Sequence, residues 1–83
     1  MLQLRPNCEC CNTDLSGDSG EAYICSFECT FCARCTHETL KGSCPNCGGE
    51  LVRRPRRASD KLQKYPASTE RVYKPEGCGQ RVA

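Results

Sequence analysis

A small metal-stabilised α+β fold with little regular secondary structure is what this chain predicts, on three observations. Eight of its ten cysteines stand in four spaced pairs: Cys8-x2-Cys11, Cys25-x3-Cys29, Cys32-x2-Cys35 and Cys44-x2-Cys47. Tetrahedral zinc takes four thiolates, and a tight turn places two sulfurs on one ion, so four pairs make two sites. The second observation is a shortage of apolar surface: only 37% of 83 residues is apolar even with cysteine counted, and Trp is absent. Chains this small bury too little surface to offset chain entropy, and metals, disulfides or a partner make up the difference. Third, between the pairs lie turn formers, one strand candidate and one short helix candidate.

The elements follow in order. Residues 12–20, Asn-Thr-Asp-Leu-Ser-Gly-Asp-Ser-Gly, are turn formers and read as an exposed loop between the first two pairs. Ala22-Tyr23-Ile24 is a short strand leading into Cys25, half of a small hairpin. Ala33 to Lys41 carries Leu40 one turn after Thr36, and Glu38 before Lys41, and stops at Gly42. That predicts a two-turn helix beginning beside Cys32 and Cys35. Gly48-Gly49-Glu50-Leu51-Val52 turns out of the last pair and returns an apolar residue to the core.

The composition changes after Val52. Residues 1–52 hold nine cysteines and a formal charge of −4, from three basic and seven acidic side chains. Residues 53–83 hold nine basic against three acidic side chains, +6, and are punctuated by proline and glycine. The expected organisation is a zinc-binding domain over 1–52 and a basic, mostly disordered tail over 53–83. Arg53, Arg54, Arg56 and Arg57 could grip phosphates, which makes nucleic acid or the ribosome an alternative partner. Nucleic-acid readers usually carry their basic residues and stacking aromatics on the folded unit, and this head is acidic. A solvated tail is the simpler expectation.

Metal is favoured over disulfides by compartment. The opening Met1-Leu2-Gln3-Leu4-Arg5-Pro6 lacks the apolar core of a signal peptide, and no stretch is long enough to span a membrane. The expectation is a cytoplasmic protein, where thiols stay reduced and paired cysteines bind metal. Iron–sulfur is the chemical competitor, because Cys29-x2-Cys32-x2-Cys35 and a Cys44-Pro45 step are similar to a ferredoxin run. The last gap is too long, and Cys8, Cys11, Cys25 and Cys47 would be left over. Cys8 and Cys11 read as a turn-borne knuckle, and Cys32 and Cys35 open the helix, whose amides and dipole offset thiolate charge. These four fit one site; Cys25, Cys29, Cys44 and Cys47 then form the second. Spacing alone also allows two sequential fingers, 8/11/25/29 and 32/35/44/47.

The order of pairs, with Phe31-Cys32-Ala33-Arg34-Cys35, Leu40 and Cys44-Pro45-Asn46-Cys47, resembles a RING finger over residues 8–51. The resemblance implies a cross-braced pair of zincs on a treble clef, with Phe31 and Leu40 in the core and Cys29 where many such fingers carry His. The run Leu4-Arg5-Pro6-Asn7-Cys8-Glu9-Cys10-Cys11 with Tyr23-Ile24-Cys25-Ser26-Phe27-Glu28-Cys29-Thr30-Phe31-Cys32 also resembles a family of short bacterial proteins of no assigned function, over residues 2–57. Ubiquitin ligases of the RING type contact their conjugating enzyme through an aliphatic residue inside the first pair and a basic one past the last. Here those places hold Glu9-Cys10 and Gly48, so fold does not carry that activity across.

No catalytic constellation is present: one His, no Gly-rich phosphate loop, and zinc sites closed by four protein sulfurs. The functional expectation is a structural two-zinc module that mediates protein interaction and is not an enzyme. Thiol-redox or zinc-responsive sensing through Cys10 and Cys78 is a further alternative. Cys10 is expected as a small buried apolar residue, His37 as a solvent-facing helical residue, and Cys78 as an exposed thiol.

Overall fold

Tyr23 and Ile24 are β-formers bounded by turns, and they pair on both sides. The computed structural model describes residues 2–73. Strand β1 (Ala22–Ile24) is central in an antiparallel sheet of order β2-β1-β3, between β2 (Thr30–Cys32) and β3 (Val52–Arg53). Ala22 faces Cys32, Tyr23 faces Phe31, and Ile24 faces Thr30; across the other edge Tyr23 faces Arg53 and Ile24 faces Val52. The expected strand is therefore present, and its hairpin partner delivers Cys32 straight from the sheet.

The segment expected as a two-turn α-helix is a π-helical turn, Cys35–Thr39. Its closing bond is wide, from Leu40 N–H to the Cys35 carbonyl at 2.8 Å. Lys41 (φ 54°) and Gly42 (φ 83°) are left-handed, and Gly42 N–H reaches back to the Thr36 carbonyl at 2.9 Å, which ends the element after one turn. The stop at Gly42 was legible; the widened turn was not.

The apolar core is thin. Phe31, Ala22, Leu15, Leu40 and Leu51 cluster with Cys8, Cys25, Cys32, Cys35 and Cys44, and Leu4 is buried as well. Leu51 is the apolar residue expected to return after the last pair. Leu15 corrects the loop expected over 12–20: Asn12 to Asp14 are exposed, but Leu15 is buried and its N–H bonds the Pro6 carbonyl at 2.7 Å. A single leucine among turn formers carries no period, so the sequence could not flag it.

Residues beyond Val52 also pack on the cysteine-rich part. Arg54, expected with its neighbours on a solvated basic tail, is 2% exposed. Its guanidinium donates to the Arg5 carbonyl at 2.9 Å and the Ser16 carbonyl at 2.8 Å, and its N–H to the Ala22 carbonyl at 2.8 Å. Arg57 donates to the Leu2 and Tyr65 carbonyls, and Arg71 pairs with Asp14 at 2.8 Å. A short helix, α1 (Ser59–Lys64), lies against the loop at Gly17, where a Cβ would stand 2.7 Å from Leu62 Cδ2. Glycine permits that approach. Arg54 thus bonds three chain segments. Arg54→Ala should lower stability by about 2–3 kcal/mol, measured by urea unfolding at saturating zinc; a shift near zero would contradict the assignment.

Candidate metal centre

Two segments fold into the same knuckle. In the first, Cys8 N–H bonds the Thr13 carbonyl at 2.9 Å, Asn12 N–H the Cys8 carbonyl at 2.9 Å, and Cys10 N–H the Cys8 sulfur at 3.3 Å. In the second, Cys44 N–H bonds the Gly49 carbonyl at 2.8 Å, Gly48 N–H the Cys44 carbonyl at 2.8 Å, and Asn46 N–H the Cys44 sulfur at 3.4 Å. Each is closed by one bridge, Asn7 with Asp14 and Ser43 with Glu50. The residue after the second cysteine is left-handed in both, Asn12 at φ 64° and Gly48 at φ 77°. Asn and Gly are the residue types that tolerate this conformation. Amides aimed at the sulfurs favour the thiolate and hence a cation.

The sulfurs gather in an interleaved order. Those of Cys8, Cys11, Cys32 and Cys35 all lie within 4.8 Å of one another, and those of Cys25, Cys44 and Cys47 form a second such group. The sequential grouping, left open by spacing, is not the one formed. Four sulfurs on a zinc ion with bonds near 2.3 Å stand about 3.8 Å apart, and Cys11 Sγ lies 3.7 Å from Cys32 Sγ. The first group fits a tetrahedral ion. Three of its members are buried, and Cys11 is exposed. Cys35 N–H also bonds Cys32 Sγ at 3.4 Å, so the π-helical turn supplies an amide to this group.

The sulfur of Cys29, the expected fourth member of the second group, hydrogen-bonds that of Cys25. Glu28, just before Cys29, is left-handed at φ 64°, and the Cys29 sulfur is not within 4.8 Å of all three sulfurs of the second group. The Asn46 side chain hydrogen-bonds that sulfur. The pair concerned, Cys25-x3-Cys29, is the one whose spacing differs from the other three.

Glu9 links the knuckles, and sequence reading missed it. It is 1% exposed; its Oε2 accepts from Thr30 N–H and from Arg5 Nη1, both at 3.0 Å, and its Oε1 accepts from Asn46 Nδ2 at 3.1 Å. One carboxylate thus joins the first knuckle, β2 and the second knuckle. Arg5 four residues before Glu9 was the available signal, though such pairs are usually solvated.

The metal-free thiols are tuned unevenly. Burial pushes Cys8 and Cys35 up, and pushes Cys44 up to about 12. Burial also raises Cys29, the Asn46 hydrogen bond only partly opposing it. Burial works the same way at Cys11, but hydrogen bonds from Thr13, Cys8 and Cys32 outweigh it and bring that thiol down to about 7. Thiols raised in this way carry protons at neutral pH that a metal must displace, so affinity rises with pH. Each displaced proton changes apparent affinity about ten-fold per pH unit. Zinc competition against a chromophoric chelator between pH 6 and 8 should show this slope; a flat profile would contradict it.

The remaining candidates stand apart. Cys10 is half-buried, disulfide-bonded and outside both groups. That corrects its expected role as a simple apolar filler or free thiol. His37 is exposed as expected and stacks edge-on against Tyr23, ring centres 5.1 Å apart. Cys78 lies outside the described residues. Among the described residues, no helix is long and apolar enough to cross a membrane.

An uncharacterized protein of Rhizobium meliloti (strain 1021) is 69% identical over 83 residues, covering 100% of this chain and 99% of that one. No solved structure matches. Residues 1–57 match a family described as a protein of unknown function, DUF1272, a span that runs past Val52 to take in Arg54 and Arg57. The chain belongs to that family.

Proposed function

We propose that this chain is a structural two-zinc module, a RING-like cross-braced treble clef, that serves as a small protein-interaction domain and not as an enzyme. The observation that carries the reading is the interleaving of the two sulfur groups, each built from segments distant in sequence. Such a pattern ties knuckle, hairpin and π-helical turn into one unit that neither group alone would close. Sulfurs about one tetrahedral edge apart suit a single ion, whereas a cluster with bridging sulfides spreads its cysteines further. Four protein ligands leave a structural zinc no position for substrate. A cleft of about 600 Å³ opens beside the first sulfur group at Cys11, Cys32 and Cys35, lined also by Asp14, Glu21, Arg34 and Glu38.

Native mass spectrometry with elemental analysis, on reduced protein purified without added metal, should give two zinc ions per chain. A single ion, or iron with visible absorption, would overturn the reading.

A further inference from the structure

Three residues other than cysteine stand between the paired sulfurs and bond one another in series. Glu9 lies inside the pair Cys8/Cys11 of the first group, Asn46 inside the pair Cys44/Cys47 of the second, and Thr30 between Cys29 and Cys32. Glu9 and Thr30 exchange two bonds: Glu9 N–H donates to the Thr30 carbonyl at 2.9 Å, and Thr30 N–H to Glu9 Oε2 at 3.0 Å. Arg5 Nη1 shares that oxygen at 3.0 Å. The other oxygen, Oε1, accepts from Asn46 Nδ2 at 3.1 Å, while the Asn46 backbone N–H bonds the Cys44 sulfur at 3.4 Å. Glu9 and Thr30 are each 1% exposed, so the carboxylate makes these bonds away from water, where they are strong.

We infer that Glu9 couples the two metal sites: filling one raises the affinity of the other through the Glu9–Asn46 bond. The inference rests on the two-metal reading and deepens it. A metal on Cys8 and Cys11 fixes the turn that carries Glu9, and so presents Oε1 to Asn46. The second knuckle then reaches its binding form at a smaller cost in conformational entropy, which raises its apparent affinity. Linkage makes the effect reciprocal, so a metal on the second group favours the first by the same factor. Couplings of this kind amount to about 5- to 150-fold. Glu9 and Asn46 bind no metal themselves and are positioning residues.

The test titrates zinc into the reduced full-length chain and follows chains with zero, one and two ions by native mass spectrometry. At half saturation, independent sites leave about half of the chains or more with one ion, and coupling of this size leaves fewer than about a third. Glu9→Gln keeps the volume but replaces one acceptor oxygen with a donor. The remaining oxygen serves the buried Thr30 amide, so the Asn46 bond is the one lost. Asn46→Ala, at an exposed position, removes the same bond from the other side. Each variant should raise the one-ion share toward half, and the double variant should raise it no further, because both act on a single bond. A merely structural role would weaken both sites and leave that share unchanged. An unchanged share in the two variants, a further rise in the double variant, or a share of half in the unaltered chain would overturn the inference while leaving two-metal binding intact. A chain that never takes up two ions would instead reject the reading beneath it.

Discussion

Cys8→Ala is expected to unfold the module, not merely to empty one site. Cys8 is fully buried, and its group draws two sulfurs from the first knuckle and two from β2 and the π-helical turn. Apparent binding energies of structural zinc in small fingers reach about 10 kcal/mol or more, and whole domains are stable by only about 5–15 kcal/mol. One site is therefore worth as much as the fold. Interleaving spreads the damage: Cys25 precedes β2 and Cys44 follows the π-helical turn, so the second group loses its frame with the first. Native mass spectrometry and circular dichroism of the variant should show neither two metals nor a cooperative melt. Two sequential fingers would instead leave the 32/35/44/47 finger metalled and folded. His37→Ala is the matched control, because it removes only an edge-on ring contact and should keep both metals.

The second large effect is expected at Glu9. Glu9→Ala removes the acceptor for the Thr30 amide, for Arg5 and for Asn46 in one step. Arg5 is partly exposed and rehydrates, but Thr30 is buried and its amide is left without an acceptor. Leaving such groups unpaired should cost about 3 kcal/mol. Glu9→Gln keeps the shape and one acceptor oxygen and should cost less. Urea unfolding at saturating zinc, with the metal concentration fixed because ligand binding shifts apparent stability, reads both. A midpoint shift under about 0.5 kcal/mol for Glu9→Ala would place it among ordinary surface changes and remove the brace from the account.

What the sequence disclosed and what it hid divide along physical lines. Local spacing showed the eight cysteines, the strand at Ala22–Ile24 and the stop at Gly42, because turn and strand signals act over a few residues. Spacing leaves both groupings open, since it is blind to which segments meet. Leu15 and Glu9 were hidden for the same reason: neither has a periodic neighbourhood, and each is buried by segments far along the chain. Arg54 was the largest surprise. In sequence it belongs to a run of arginines, and in the fold it is enclosed by the carbonyls of Arg5, Ser16 and Ala22. Composition assigned it to solvent; tertiary contacts assign it to the interior.

Metal–sulfur clusters, with only a thin apolar core behind them, are expected to keep this chain folded. The most direct measurement is a pair of amide-resolved NMR spectra of the reduced protein, before and after both metals are stripped by a chelator. Collapse of the dispersed peaks, restored by returning two equivalents of zinc, is the expected result. A spectrum that stays dispersed without metal, its thiols still reduced, would contradict the account.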